Sequence, residues 1–212
     1  MGRFPRNDIG DQIYHVMNRS NKRVEIFIDD LHYDLFEKCL IEGQAHFNIK
    51  ILAYIIMPNH FHLVLLPHQD KLLSKFMHWF LTTFTQRYHI INKTIGSGHV
   101  FQGRYKSIMV KNDFYLLHLL LYVERNALRA GLVKNAEDWR WSSLWIRLNG
   151  TNEQKKFLND SPIVIPTNYL ELVNEQEKTD ILQKIRFSIN QTIPLTNEVI
   201  IKRYRGRPKK GA

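Results

Sequence analysis

Cysteine occurs once in these 212 residues, at Cys39. That excludes an intramolecular disulfide and any zinc site built from several thiolates. No apolar run approaches the roughly 20 residues that a membrane-spanning helix needs, and the Leu-rich stretch at 116–121 is far too short. The opening residues, Met1-Gly-Arg-Phe-Pro-Arg-Asn-Asp8, lack the apolar segment of a secretory signal. The expectation is a protein with no membrane partner, in the cytoplasm. Gly-x-x-x-x-Gly-Lys-Ser/Thr and His-Glu-x-x-His are both missing, so nothing in the sequence supports ATP-driven chemistry or a zinc hydrolase. Internal repeats are missing too.

Acid is absent where base is densest. From Lys202 to Lys210 the chain reads Lys-Arg-Tyr-Arg-Gly-Arg-Pro-Lys-Lys, six cations without a carboxylate. These supply six of the ten net positive charges and leave +4 for the rest. A mildly basic body with a strongly basic tail points to a polyanionic partner. Hydrophobic residues at 44% and aromatics at 12% belong to a folded globular chain with a substantial core.

Patterning gives the elements. Residues 11–18 alternate as a strand, and Asp29-Asp30 supply N-cap residues for a helix over 31–46 that buries Cys39. Residues 49–57 are β-branched and apolar, a buried strand. Pro58-Asn59 makes a tight turn into a second strand, giving an antiparallel hairpin. A helix follows over 71–91, with Leu72, Phe76, Phe80, Phe84 and Tyr88 at i, i+4 spacing, a packing stripe. Gly96–Gly103 is a loop, 104–110 a fourth strand, and a helix capped by Asp113 runs to Ala130 before Gly131. Strand, helix, strand, strand, helix, strand is the split βαβ order. The fold class expected is therefore α+β, ferredoxin-like or RRM-like: a four-stranded antiparallel sheet with helices on one face. The body is assigned to 1–145. A partly helical extension follows over 146–201, including a helix over 169–189, and the basic tail occupies 202–212.

Two places carry chemistry. In the hairpin, His60 and His62 alternate with Phe61, so both imidazoles leave the same face of their strand, about 7 Å apart. Such a pair can converge on one metal ion. On the helix after Asp113, with Tyr122 at zero and about 100° per residue, Asn126 falls near +40°, Tyr115 near +20°, His118 near −40° and Arg129 near −20°. Tyr122 thus has an amide one turn on and an imidazole one turn back; an amide oxygen is a reasonable third ligand and a phenol a possible nucleophile. Only Glu124 lies clearly outside this polar fan, whose other reading is the solvated side of an amphipathic helix.

Pro58-Asn-His-Phe-His-Leu-Val64, Gly103-Arg-Tyr-Lys-Ser107 and Tyr122-Val-Glu-Arg-Asn-Ala-Leu-Arg-Ala-Gly131 together resemble the single-tyrosine HUH transposases. The nearest branch is that of the REP-associated tyrosine transposases, relatives of the small insertion-sequence transposases. Further matches are Tyr14-His-Val16 with Arg19, Gly98-His-Val-Phe-Gln-Gly103 and Trp141-Ser-Ser143. The resemblance implies a divalent ion, Mg2+ or Mn2+, held by His60, His62 and Asn126. It also implies Tyr122 as the nucleophile that cleaves and rejoins single-stranded DNA through a 5′-phosphotyrosine, beside hairpin repeats. His118 is an auxiliary candidate and Tyr115 the alternative nucleophile. Where the family has Asn-Pro after the tyrosine, this chain has Asn126-Ala127, and Leu121 stands where a basic residue is common.

Arg19, Lys22, Arg23, Arg104 and Lys106 are candidate phosphate contacts, and Phe101 or Tyr105 candidate stacking platforms. Arg203, Arg205, Arg207 and Lys209 form an AT-hook-like stretch suited to a narrow minor groove, or a plain basic anchor. The partner expected is single-stranded or hairpin DNA, with the protein nucleoid-associated. Two other readings share much of this machinery: a domesticated protein that grips hairpins without cutting, and a relaxase or rolling-circle initiator. The choice between monomer and homodimer is open at this level.

Overall fold

A computed structural model of the chain describes residues 8–175 and 179–196. The tail cations Arg203, Arg205, Arg207 and Lys209 lie outside the described residues. The body opens with β1 (Ile13–Arg19), α1 (Asp30–Phe47), β2 (Lys50–Met57), β3 (His60–Leu66), α2 (Leu72–Ile91) and β4 (Lys106–Val110). This is the split βαβ order expected. The four strands pair antiparallel in the order β2-β3-β1-β4.

Helices were expected on one face only, but both faces of the sheet are covered. On one, Val16, Ile56, Phe61, Leu63 and Leu65 meet Phe36, Cys39 and Leu40 of α1 and Phe76, Phe80 and Phe84 of α2. The aromatic stripe of α2 is thus core, with Phe36 4.8 Å from Phe80 and 4.9 Å from Phe61, ring centre to ring centre. The two helices approach so closely at Gly43 that a Cβ there would stand 2.9 Å from the Phe76 and Trp79 rings. Asp29 caps α1, accepting from the His32 backbone N–H at 3.2 Å.

The opposite face, which carries Leu52, Ala53, Ile55, Met57 and Val64, is covered by α3 (Asp113–Glu124) through Leu116, Leu119, Leu120 and Val123. Leu52 and Ala53 both point that way because the β2–β3 register slips between Ile51 and Ala53, a bulge. The helix expected to run to Ala130 is interrupted: α3 ends at Glu124, Arg125 sits at φ −81°, ψ −3°, and α4 spans Asn126–Arg129. Asn112, not Asp113, is the N-cap; its side chain accepts from the Tyr115 N–H. Gly131, at φ +72°, closes the segment in the left-handed conformation, where glycine carries no Cβ penalty.

After α5 (Ser143–Asn149) and α6 (Asn152–Lys156), the helix expected over 169–189 is two: α7 (Tyr169–Asn174) and α8 (Thr179–Gln191). Glu175 is extended at ψ 153°, which ends the first. Ile185 and Ile189 of α8 join the α3 side of the core. Both sheet margins are met by this later chain. At β4, Leu195 bonds Met109 and Lys111 and bridges Val110. At β2, Trp141 accepts from Ile56, Ser143 Oγ accepts from the Tyr54 N–H, and Asn159 bonds Ile51.

Candidate functional site

Strand alternation sends Phe61 into the α1–α2 core and His60 and His62 toward α3. Across β1–β3, Arg19 is the register partner of His60 and Met17 that of His62. His15, two residues from Met17, is therefore a diagonal neighbour of His62 on the same face. Tyr122 hangs from α3 over this spot, its ring centre 5.9 Å from that of His62 and 6.1 Å from that of His15. The rings of His60 and His62 are 5.2 Å apart. The hairpin imidazoles and the helix phenol, 60 residues apart in the chain, meet in one place.

Asn126 follows through the break at Arg125, its Nδ2 donating to the Tyr122 carbonyl at 3.4 Å. Its Oδ1 accepts from Arg129 Nη2 at 2.5 Å, and the Arg129 guanidinium lies 4.2 Å from the Tyr122 ring centre. A cation therefore already stands at the amide oxygen expected to serve as a ligand.

The second ring nitrogens decide whether the histidines fit an ion. His60 Nδ1 meets Asn59 Oδ1 at 2.7 Å, and His62 Nδ1 meets His15 Nε2 at 2.8 Å. Both Nδ1 edges are engaged within the protein, so Nε2 is the edge left for a ligand bond. Burial, reinforced by the nearby Arg19 and Arg129 charges, depresses the His60 pKa to about 4. His62 is depressed well below the ordinary imidazole range by burial, then by His15 and His60, and His15 by burial alone to about 3. Neutral imidazole is the form that binds metal. Among the described residues no group of three or more His, Cys, Asp or Glu side chains is placed to hold an ion. The donors gathered here are two imidazoles and the Asn126 amide, a nitrogen-and-oxygen set of the kind that borderline divalent ions accept.

A groove of about 2010 Å3 runs from this spot along β4 to the end of α8. His60, His62, Tyr122 and Asn126 line it together with Arg19, Arg104, Tyr105 and Lys106, and so do Arg129 and Arg186. Arg19 Nε is buried without a hydrogen-bond partner among the described residues. Lys106 Nζ donates to the Ile189 carbonyl at 3.2 Å, tying β4 to α8. The rings of Phe101 and Tyr105, candidate stacking platforms, are each 7% exposed and packed in the core. Lys22 and Arg23 are exposed outside the groove wall, in a turn at φ +53° and +61° beside the hairpin. His118 packs its ring 4.5 Å from Phe114, and Tyr115 is buried with its hydroxyl 3.5 Å from Lys184 Nζ; neither lines the groove.

A family model described as "Transposase IS200 like" matches residues 9–126, from just before β1 to the amide after Tyr122. The chain belongs to the IS200-like transposases. Among solved structures, a REP-associated tyrosine transposase bound to a REP hairpin aligns over 84% of this chain and 100% of its own. Its TM-score is 0.58 at 18% identity, which shows a shared fold. A putative transposase from Deinococcus radiodurans aligns over 58% of this chain and 96% of its own, with TM-score 0.43 and 15% identity. The tRNA(His) guanylyltransferase of Saccharomyces cerevisiae aligns over 73% and 80%, with TM-score 0.40 and 12% identity. No curated protein matches the chain.

Reading by sequence gave no role to His15, Asn59 and Arg186, and it placed Arg129 beside Tyr122 without assigning its contacts. The signal for His15 was present, since it shares a strand face with Arg19 at a spacing of four residues.

Proposed function

We propose that this IS200-like transposase cleaves and rejoins single-stranded DNA beside hairpin repeats, with Tyr122 as nucleophile. The observation that carries the reading is the meeting of the Tyr122 phenol with His60, His62 and Asn126 at the head of a basic groove. A binding protein needs the groove but not that combination.

The phenol gives up its proton and its oxygen bonds to phosphorus in line with the departing 3′-oxygen. The P–O3′ bond breaks, the 3′-oxygen takes up a proton, and the 5′-phosphate remains on Tyr122. The phosphotyrosine keeps the ester energy for rejoining, in keeping with the missing phosphate-binding loop. A divalent ion held by His60, His62 and Asn126 would offset phosphate charge and orient it for attack. Arg129 keeps the Tyr122 ring and the Asn126 amide in register with each other. Arg19, with its unpartnered buried Nε opposite His60, is suited to a phosphate oxygen. Arg104 and Arg186 continue the positive lining along the flanking strand's path. The hairpin bound by the structural relative supports a hairpin-bearing substrate here.

The test is a hairpin-flanked single-stranded oligonucleotide incubated with Mn2+ and resolved on a denaturing protein gel. Wild-type protein should acquire a covalent DNA adduct, and Tyr122→Phe should bind the hairpin but form none. An adduct on Tyr122→Phe would move the nucleophile elsewhere, with Tyr115 next in line. Hairpin binding with no adduct from wild-type protein would favour a non-cleaving hairpin binder.

A further inference from the structure

Each imidazole at the centre of the site is gripped from behind by a residue with no role so far. Asn59, at the hairpin turn, places its Oδ1 2.7 Å from His60 Nδ1 and donates from Nδ2 to the Arg23 carbonyl at 3.1 Å. The carbonyl can only accept, so it fixes which end of the Asn59 amide carries hydrogens. Oδ1 must then face His60, and an oxygen acceptor there requires His60 to carry its proton on Nδ1.

For His62 the partner is His15, Nε2 to Nδ1 at 2.8 Å, the two rings stacked at 5.0 Å. His15 is buried behind the groove and is not part of its wall, whereas His62 lines it. One proton lies between the two nitrogens. Placed on His15 Nε2, it forces His62 to carry its own hydrogen on Nε2, toward the groove. Placed on His62 Nδ1, it leaves an electron pair on the groove-facing Nε2. The Arg19 and Arg129 charges act on His62 from that side, and a positive field favours the electron pair there.

We infer that His15 and Asn59 are positioning residues that hold His62 and His60 as Nδ1–H tautomers, so that both present Nε2 to the cation position. Metal-binding histidines elsewhere are oriented in the same manner, by acceptors on the second nitrogen. The inference rests on the transposase reading above for what the Nε2 atoms face. The hydrogen bonds themselves do not depend on that reading. Asn59 also links the His60 ring to the backbone of the Lys22–Arg23 turn, so the exposed basic turn and one ligand share a hydrogen-bonded path.

Two-bond 1H–15N spectra of the metal-free protein at neutral pH report each tautomer directly. His60 and His62 should both be Nδ1–H; either one found as Nε2–H overturns the assignment. Mn2+ affinity, read by electron paramagnetic resonance, tests the consequence. His15→Phe should weaken Mn2+ binding between tenfold and a hundredfold, and Asn59→Ala should act in the same direction. His15→Gln, whose amide oxygen can reach the position of Nε2, should recover most of the loss. A folded His15→Phe protein with wild-type affinity overturns the inference, as does a Gln variant no better than Phe. Should His15→Phe fail to fold, the wild-type spectra still decide. Wild-type protein that binds no Mn2+ while showing both Nδ1–H tautomers would sink the metal-assisted reading and leave the hydrogen-bonding assignment standing.

Discussion

Arg129 lies across the face of Tyr122, its guanidinium 4.2 Å from the ring centre, and reaches past it to Asn126 Oδ1 at 2.5 Å. One side chain thus spans the proposed nucleophile and the proposed amide ligand. Arg129→Ala should slow single-turnover adduct formation about tenfold, equivalent to about 1.4 kcal/mol and within the range of a cation–π contact. Arg129→Lys should recover part of the rate, since charge persists but the planar fork does not. The measurement is adduct against time at saturating oligonucleotide.

Two residues beyond Tyr122, Glu124 is fully buried and accepts from Ser143 Oγ at 2.5 Å, Tyr169 hydroxyl at 2.7 Å and Arg147. Arg147 also donates to the Leu52 carbonyl at the β2 bulge. This network fastens the end of α3 to α5, α7 and the sheet. Glu124→Ala removes the acceptor common to three donors and should destabilise the fold by about 3 kcal/mol. Thermal unfolding of the two proteins checks it, and a change below about 1 kcal/mol would contradict the buried network.

Acid should loosen the metal-free protein. His15 and His60 have pKa values near 3 and 4 in the fold, against about 6.5 in an unfolded chain. Their contribution to stability is present above pH 6.5 and is lost as pH falls through that value toward the folded ones, because the unfolded chain takes up protons first. Between pH 7 and pH 5 each such imidazole costs about 2 kcal/mol, so Tm should fall by at least about 5 °C in chelator. His15→Gln, lacking one titrating group, should show a shallower fall.

Salt should separate the groove from the tail. Each groove cation that meets a phosphate contributes about 0.7 to the slope of log affinity against log salt on a single strand. Arg104→Ala with Arg186→Ala should flatten that slope by about 1.4 on the same scale. Deleting 202–212, which carries six basic residues, should flatten it further. Binding is best measured with Tyr122→Phe protein, so that cleavage does not distort the isotherm.

Much of this is legible in the sequence. Period-two alternation put His60 and His62 on one face, and helical geometry put Tyr122 beside Asn126, because both follow from backbone repeats alone. The aromatic stripe of α2 packs as its spacing indicated. What periodicity cannot see is the partner across space. Glu124 stood outside the polar fan with no role assigned, and it is buried because Arg147, Ser143 and Tyr169 arrive from later in the chain. His15 reads as an ordinary strand residue until the β1–β3 register brings it diagonal to His62. The break at Arg125 and the end of α7 at Glu175 leave no proline or glycine behind to mark them.

Both outer strands carry hydrogen bonds from later chain: residues 139–159 on β2, and Leu195 at the end of β4. Trimming the gene to end near residue 145 would remove the Asn159 and Arg147 bonds from one border and Leu195 from the other. Such a fragment would be prone to stick to copies of itself by strand pairing, whatever its chemistry. Anyone shortening this protein for biotechnology should therefore keep it through at least residue 196.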